Sequence, residues 1–120
     1  MRKYFTVRIF FFTLFLSSCY DMFAHVELDY PQGGETFIVG QTVLVQWHVA
    51  IPHVLLNWDL FYSPDGGVTW DTLQMNIPPE QITYVWEIPN ELTSQGKIRI
   101  WMDNEGQDYV DISDNFTIAP

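Results

Sequence analysis

Short runs that alternate apolar and polar residues, each cut by glycine or proline, leave this chain few folds. Val26, Leu28 and Tyr30 alternate with His25, Glu27 and Asp29 before Pro31-Gln32-Gly33-Gly34 breaks the run. Val43, Val45, Trp47 and Val49 do the same against Thr42, Leu44, Gln46 and His48. A period of two puts one set of side chains on a buried face and the other toward water, which is the mark of a half-buried strand. Further runs are expected at Thr36–Val39, Asn57–Ser63, Thr69–Leu73, Tyr84–Ile88, Lys97–Met102 and Asn115–Ile118. A loop around Pro52 and an acidic loop at Asp103–Asp111 separate some of them. No stretch carries a helical period. Short strands at near-regular spacing predict an all-β fold, an immunoglobulin- or fibronectin-III-like antiparallel β-sandwich of seven to eight strands.

The first 24 residues read differently. Arg2, Lys3 and Arg8 precede the apolar run Ile9–Leu16, and Ser17, Ser18 and Cys19 follow. That order is a secretion signal, and its apolar part is shorter than the roughly 20 residues a bilayer span needs. Two cuts are open. Leu16-Ser17-Ser18-Cys19 resembles a bacterial lipobox, which would make Cys19 a lipidated first residue and tie the domain to a membrane. Met22-Phe23-Ala24 offers a small-residue site that would start the chain at His25. Either way the domain, residues 25–120, is expected outside the cytoplasm, secreted or at the cell surface.

Past the signal, Lys97 and Arg99 face fourteen carboxylates, a net charge of −12. That charge repels phosphate backbones, so nucleic acid is not an expected partner, whereas cations are attracted. The only cysteine is Cys19, so the domain holds no disulfide and its core must carry its stability. No serine sits in a Gly-x-Ser-x-Gly setting and no glycine loop is built to cradle phosphate, so no classical enzyme site is expected.

Tyr30-Pro31-Gln32-Gly33-Gly34-Glu35-Thr36-Phe37, then Gly40-Gln41-Thr42-Val43 and Val45-Gln46-Trp47, resembles the Ig-like domain that opens the fungal Ser/Thr-rich, GPI-anchored cell-wall family. Similar modules occur in secreted bacterial proteins. The resemblance runs on through Tyr84-Val85-Trp86, Gly96–Ile100 and Asp114-Asn115-Phe116. It implies the fold and a surface or accessory role, without fixing an activity. Ser63-Pro64-Asp65-Gly66-Gly67-Val68-Thr69-Trp70 also resembles the Asp-box of sialidase-like propellers. There the motif shapes a hairpin, so Asp65 is expected to cap the turn and Trp70 to pack beneath it.

Three histidines, His25, His48 and His53, are the candidate metal ligands. Antiparallel pairing of the first two long strands would bring the start of one, His25, to the end of the other, His48. His53 falls in the loop leaving that end, and the acidic loop is expected there too. A cut before His25 frees its α-amine to chelate a metal together with its ring, and a second imidazole completes a T-shaped nitrogen site. This resembles the histidine brace of copper-binding secreted proteins and lytic polysaccharide monooxygenases. Nitrogen donors suit Cu(II), which tops the divalent affinity order. The reading is an exported copper-binding module, with copper handling or sensing suiting its size better than catalysis. The alternative is a surface interaction or carbohydrate-binding module without metal, using Trp101 and Phe61 as stacking surfaces. Asp103, Asn104, Glu105 and Asp108 offer oxygen ligands for calcium, but their spacing does not match an EF-hand and a solvated loop is the simpler expectation.

Overall fold

The computed structural model describes residues 24–120. The expected secretion signal, the lipobox-like stretch at Cys19 and both expected cut sites fall outside the described residues, apart from Ala24. Nine strands and no helix make up the described chain.

The strands form two sheets. One is three-stranded, in the order β1 (Val26–Tyr30), β3 (Thr42–Val49), β6 (Thr83–Glu87). The other runs β2 (Thr36–Ile38), β9 (Phe116–Ala119), β7 (Thr93–Asn104), β4 (Leu55–Ser63), β5 (Asp71–Ile77). The remaining strand, β8 (Tyr109–Ile112), also pairs with β7, beyond the stretch that β9 occupies. This is the immunoglobulin-type sandwich with its first and last strands each broken in two.

Both breaks have local causes. β1 leaves the small sheet at Pro31, and β2 resumes in the large one. The Glu35 carboxylate accepts from the N–H groups of Gln32 and Gly33, at 2.8 Å each, and fixes the crossing. Gly33 adopts φ +123°, and a Cβ there would stand 2.4 Å from Asp114 Cβ, so only glycine fits. Between β8 and β9, Ser113 turns inward, and its hydroxyl accepts from the N–H of Ile98 at 3.0 Å.

β8 was expected as part of the acidic loop. Tyr109, Val110 and Ile112 instead pair with Met102, Trp101 and Arg99, and the true loop is only residues 105–108. Acidic neighbours hid an alternating strand: Tyr109 lies opposite buried Met102, while Val110 and Ile112 face outward with Trp101 and Arg99.

The core lies between the sheets. Trp47 and Trp58, one from each sheet, meet edge to face with centroids 6.0 Å apart. Such a pair adds about 0.5–1.5 kcal/mol beyond the area it buries. At the other end Phe37, Tyr62, Trp86 and Phe116 form an aromatic cluster with centroid spacings of 5.1–6.4 Å.

The Ser63–Trp70 segment turns the chain between β4 and β5, which pair antiparallel. Asp65 accepts from Ser63 Oγ at 2.8 Å, Thr69 N at 2.8 Å and Thr69 Oγ1 at 2.6 Å. Gly66 and Gly67 take φ +73° and +95°. The hydroxyl and N–H of Thr69 and the hydroxyl of Ser63 hold the Asp65 carboxyl down at about 2.

Candidate functional site

β1 and β3 run antiparallel, with Val26 opposite Val49 and Glu27 opposite His48. β4 starts where β7 ends, Leu55 opposite Asn104. The start of β1, the end of β3, the loop carrying His53 and the 105–108 loop therefore share one end of the sandwich. The N–H of Glu105 donates to the carbonyl of Val54 at 2.8 Å and joins the two loops.

At this end His25 and His53 meet, with Nδ1 of His25 2.7 Å from Nε2 of His53. Twenty-eight residues separate them in sequence. The ring of Tyr109 lies flat on His25, with centroids 3.6 Å apart and planes 6° from parallel. His53 tilts against the same ring at 5.0 Å. Tyr109 is half-buried and packs on the core, so it sets the plane of the His25 imidazole. The carbonyl of His25 accepts from the N–H groups of Ala50 and Ile51 and anchors the backbone of the pair.

His48 was expected beside His25 and is placed elsewhere. Its Nδ1 lies 2.9 Å from both oxygens of Asp29, and its Nε2 lies 3.4 Å from Glu27. The cause is register. Glu27 is the cross-strand partner of His48, and Asp29 follows on the same face. His25 lies one residue before the ladder begins, where alternation no longer dictates direction, and it turns toward β8. Both ring nitrogens of His48 thus face carboxylates rather than the other imidazoles.

The hydrogen bond to Asp29 raises the pKa of His48 above 6.5; partial burial opposes this, and the charges of Asp29 and Glu27 add to it. A raised folded-state value means the contribution is complete below about 6.5 and is lost as pH rises through the folded value. His48→Gln is therefore expected to lower the melting temperature more at pH 5.5 than at pH 8.5. The effect should be small, since exposed pairs contribute about 0–1 kcal/mol. Equal losses at the two pH values would remove the charge pair as its cause.

The calcium candidates are mostly committed to holding the loop. Asp108 accepts from Asn104 N at 2.9 Å and from the Trp101 indole N–H at 3.1 Å. The amide of Asn104 donates to the carbonyl of Gln107 at 2.9 Å. Trp101 and Phe61 do face away from the core, on the outer side of the large sheet. The guanidinium of Arg99 stands 5.5 Å and 4.5 Å from their ring centroids.

Among the described residues no three His, Cys, Asp or Glu side chains gather to hold a metal. His25 and His53 bring two imidazole rings together at this end. Tyr109 was missing from the expected site, and its place beside His25 has no sequence signal because it depends on how the two sheets meet. No family model, characterised protein or solved structure matches this chain.

Proposed function

We propose that this chain is an exported binding module that takes up Cu(II) through the ring of His25, the α-amine of His25 freed by cleavage after Ala24, and the ring of His53. The approach of His25 Nδ1 to His53 Nε2 carries this reading. Nδ1 is the ring nitrogen that closes a six-membered chelate with the residue's own amine; Nε2 points too far away. Metal–imidazole bonds are about 2.0 Å long, so two nitrogens on one ion stand about 2.9 Å apart in cis and about 4 Å apart in trans. The observed 2.7 Å is close to the cis spacing, which only a small opening of the pair would reach.

The surroundings favour the same chemistry. Two imidazoles and an amine make a three-nitrogen set, and such sets prefer Cu(II) within the divalent series. The stacked Tyr109 limits rotation of His25 and reduces the ordering cost on binding. The charge of −12 attracts cations at long range. The group packed beside the pair is the ring of Tyr109, an arrangement that fits binding, delivery or sensing of the ion.

The test is the state of the terminal amine. A domain beginning at His25 is compared with one carrying a single glycine before it, by Cu(II) titration and electron paramagnetic resonance. Loss of an outer partner of a metal ligand already weakens affinity about 10–100-fold, so removing a direct ligand should exceed about 100-fold. Equal affinity in the two forms would falsify the brace. A mature protein whose intact mass shows lipid on Cys19 would also end this reading, because His25 would then hold no free amine.

A further inference from the structure

The chain's two cations beyond the signal, Lys97 and Arg99, stand two residues apart on β7 and share the outer face of the large sheet. Neither pairs with a carboxylate among the described residues, although the same stretch of chain carries fourteen carboxylates. The carboxylates nearest in register are engaged elsewhere. Asp59, opposite Trp101, accepts from the N–H of Asn76 at 2.8 Å, and Asp108 is held by Trp101 and Asn104. The Lys97 ammonium donates to the carbonyl of Ser113 at 3.3 Å.

Arg99 is clamped by aromatic rings. Its guanidinium carbon lies 4.3 Å from the ring centroid of Trp70, 4.5 Å from Phe61 and 5.5 Å from Trp101. Rings at these distances hold the guanidinium in place by cation–π attraction. Nε is buried without an acceptor, and no ion pair engages the terminal nitrogens among the described residues. A guanidinium held in this way, with no ion pair at its terminal nitrogens, matches a planar oxyanion, above all a carboxylate bound through two oxygens.

The rest of the face indicates the kind of molecule that carries the carboxylate. Trp70, Phe61 and Trp101 present half-buried rings, and Val110 and Ile112 are each 44% exposed on the same side. Apolar edges around one polar anchor suit the C–H faces of sugar rings. Arg99 lies on a central strand with β4 on one side and β8 on the other, so a peptide has no free strand edge to extend at this point. The acidic remainder of the surface repels a densely charged polymer and admits widely spaced charges.

We infer that the outer face of β7, centred on Arg99 with Lys97, binds a carbohydrate chain bearing spaced carboxylates of the uronic-acid type. The site lies on the opposite face of the sheet from Tyr109 and needs no metal, so it stands apart from the copper reading.

The probe is an oligosaccharide of alternating glucuronate and N-acetylhexosamine, titrated into the metal-free domain by calorimetry and by tryptophan fluorescence. Its neutral methyl ester and a glutamate peptide serve as the other arms. The acid oligosaccharide should bind, with the ester at least tenfold weaker. Arg99→Lys keeps the charge but loses the fork, and should also weaken binding about tenfold. Thermal melts establish that this variant is folded. If it is not, the comparison of acid with ester on the unaltered domain, and Lys97→Gln with an expected threefold loss, decide the matter. No binding of the acid form, equal binding of the ester, or an unchanged folded Arg99→Lys variant overturns the inference. Equal binding of the glutamate peptide overturns the carbohydrate assignment.

Discussion

Gly96→Ala should destabilise this domain more than any other single added methyl group along β7. A Cβ at Gly96 would stand 2.3, 2.7 and 2.9 Å from three atoms of the Phe116 ring. Phe116 is 1% exposed and cannot step aside, because Phe37, Tyr62 and Trp86 pack around it. Overfilling a packed core costs about 1–3 kcal/mol and occasionally more. Contacts this short place Gly96→Ala at the upper end. For a domain of under 100 residues each kcal/mol moves the melting temperature by about 4–8 °C, so a fall of about 12–24 °C is expected. The double variant Gly96→Ala/Phe116→Leu should be more stable than the two single losses together imply, since the smaller side chain vacates the contested space. Strict additivity in thermal or urea melts would mean that the two residues do not compete. The glycine is thus a packing requirement, and it needs no unusual backbone angle: its φ is not among the positive values.

The second large effect concerns copper. His53→Ala, in a domain beginning at His25, is expected to weaken Cu(II) binding by more than about 100-fold, by the same reasoning that a direct ligand matters more than its outer partners. His48→Ala should leave affinity within about threefold, because both ring nitrogens of His48 lie on Asp29 and Glu27. The contrast between these variants is sharper than either alone. Both remove an imidazole from the same acidic domain, so a non-specific cation effect would lower both alike. Calorimetry gives the affinities, and nitrogen hyperfine structure in the resonance spectrum gives the donors lost. A His48→Ala loss as large as that of His53→Ala would refute the geometry of the pair. Tyr109→Ala should fall between them, since it frees the His25 ring without removing a donor.

The strand framework was legible because its signal is local. Thr42–Val49 is a strand over the residues its alternation marks, and Val43, Val45 and Trp47 are buried as that pattern requires. The Asp-box turn was equally legible, since Ser63, Asp65, Gly66, Gly67 and Thr69 contain their own hydrogen bonds and positive φ angles. β8 was missed because Asp108 and Asp111 made it look like part of a solvated loop. Asp111 has a structural partner that no local pattern reveals: its carboxylate accepts from the N–H of Leu28 at 2.7 Å, eighty-three residues away.

The sequence by itself therefore determined the two-faced strands, the turns between them and the acidic, disulfide-free character of the domain. It also placed all three histidines toward one end, because antiparallel pairing follows from strand order. Only the tertiary structure decided which histidines meet. His48 sits inside the ladder, where register assigns it to Glu27 and Asp29. His25 and His53 lie just outside it, where backbone pairing no longer sets side-chain direction and the packing of Tyr109 against them does. The same division holds for Arg99. Alternation puts it on the outer face, but its three aromatic neighbours come from three chain segments, β4, the turn before β5 and β7, brought together by the fold.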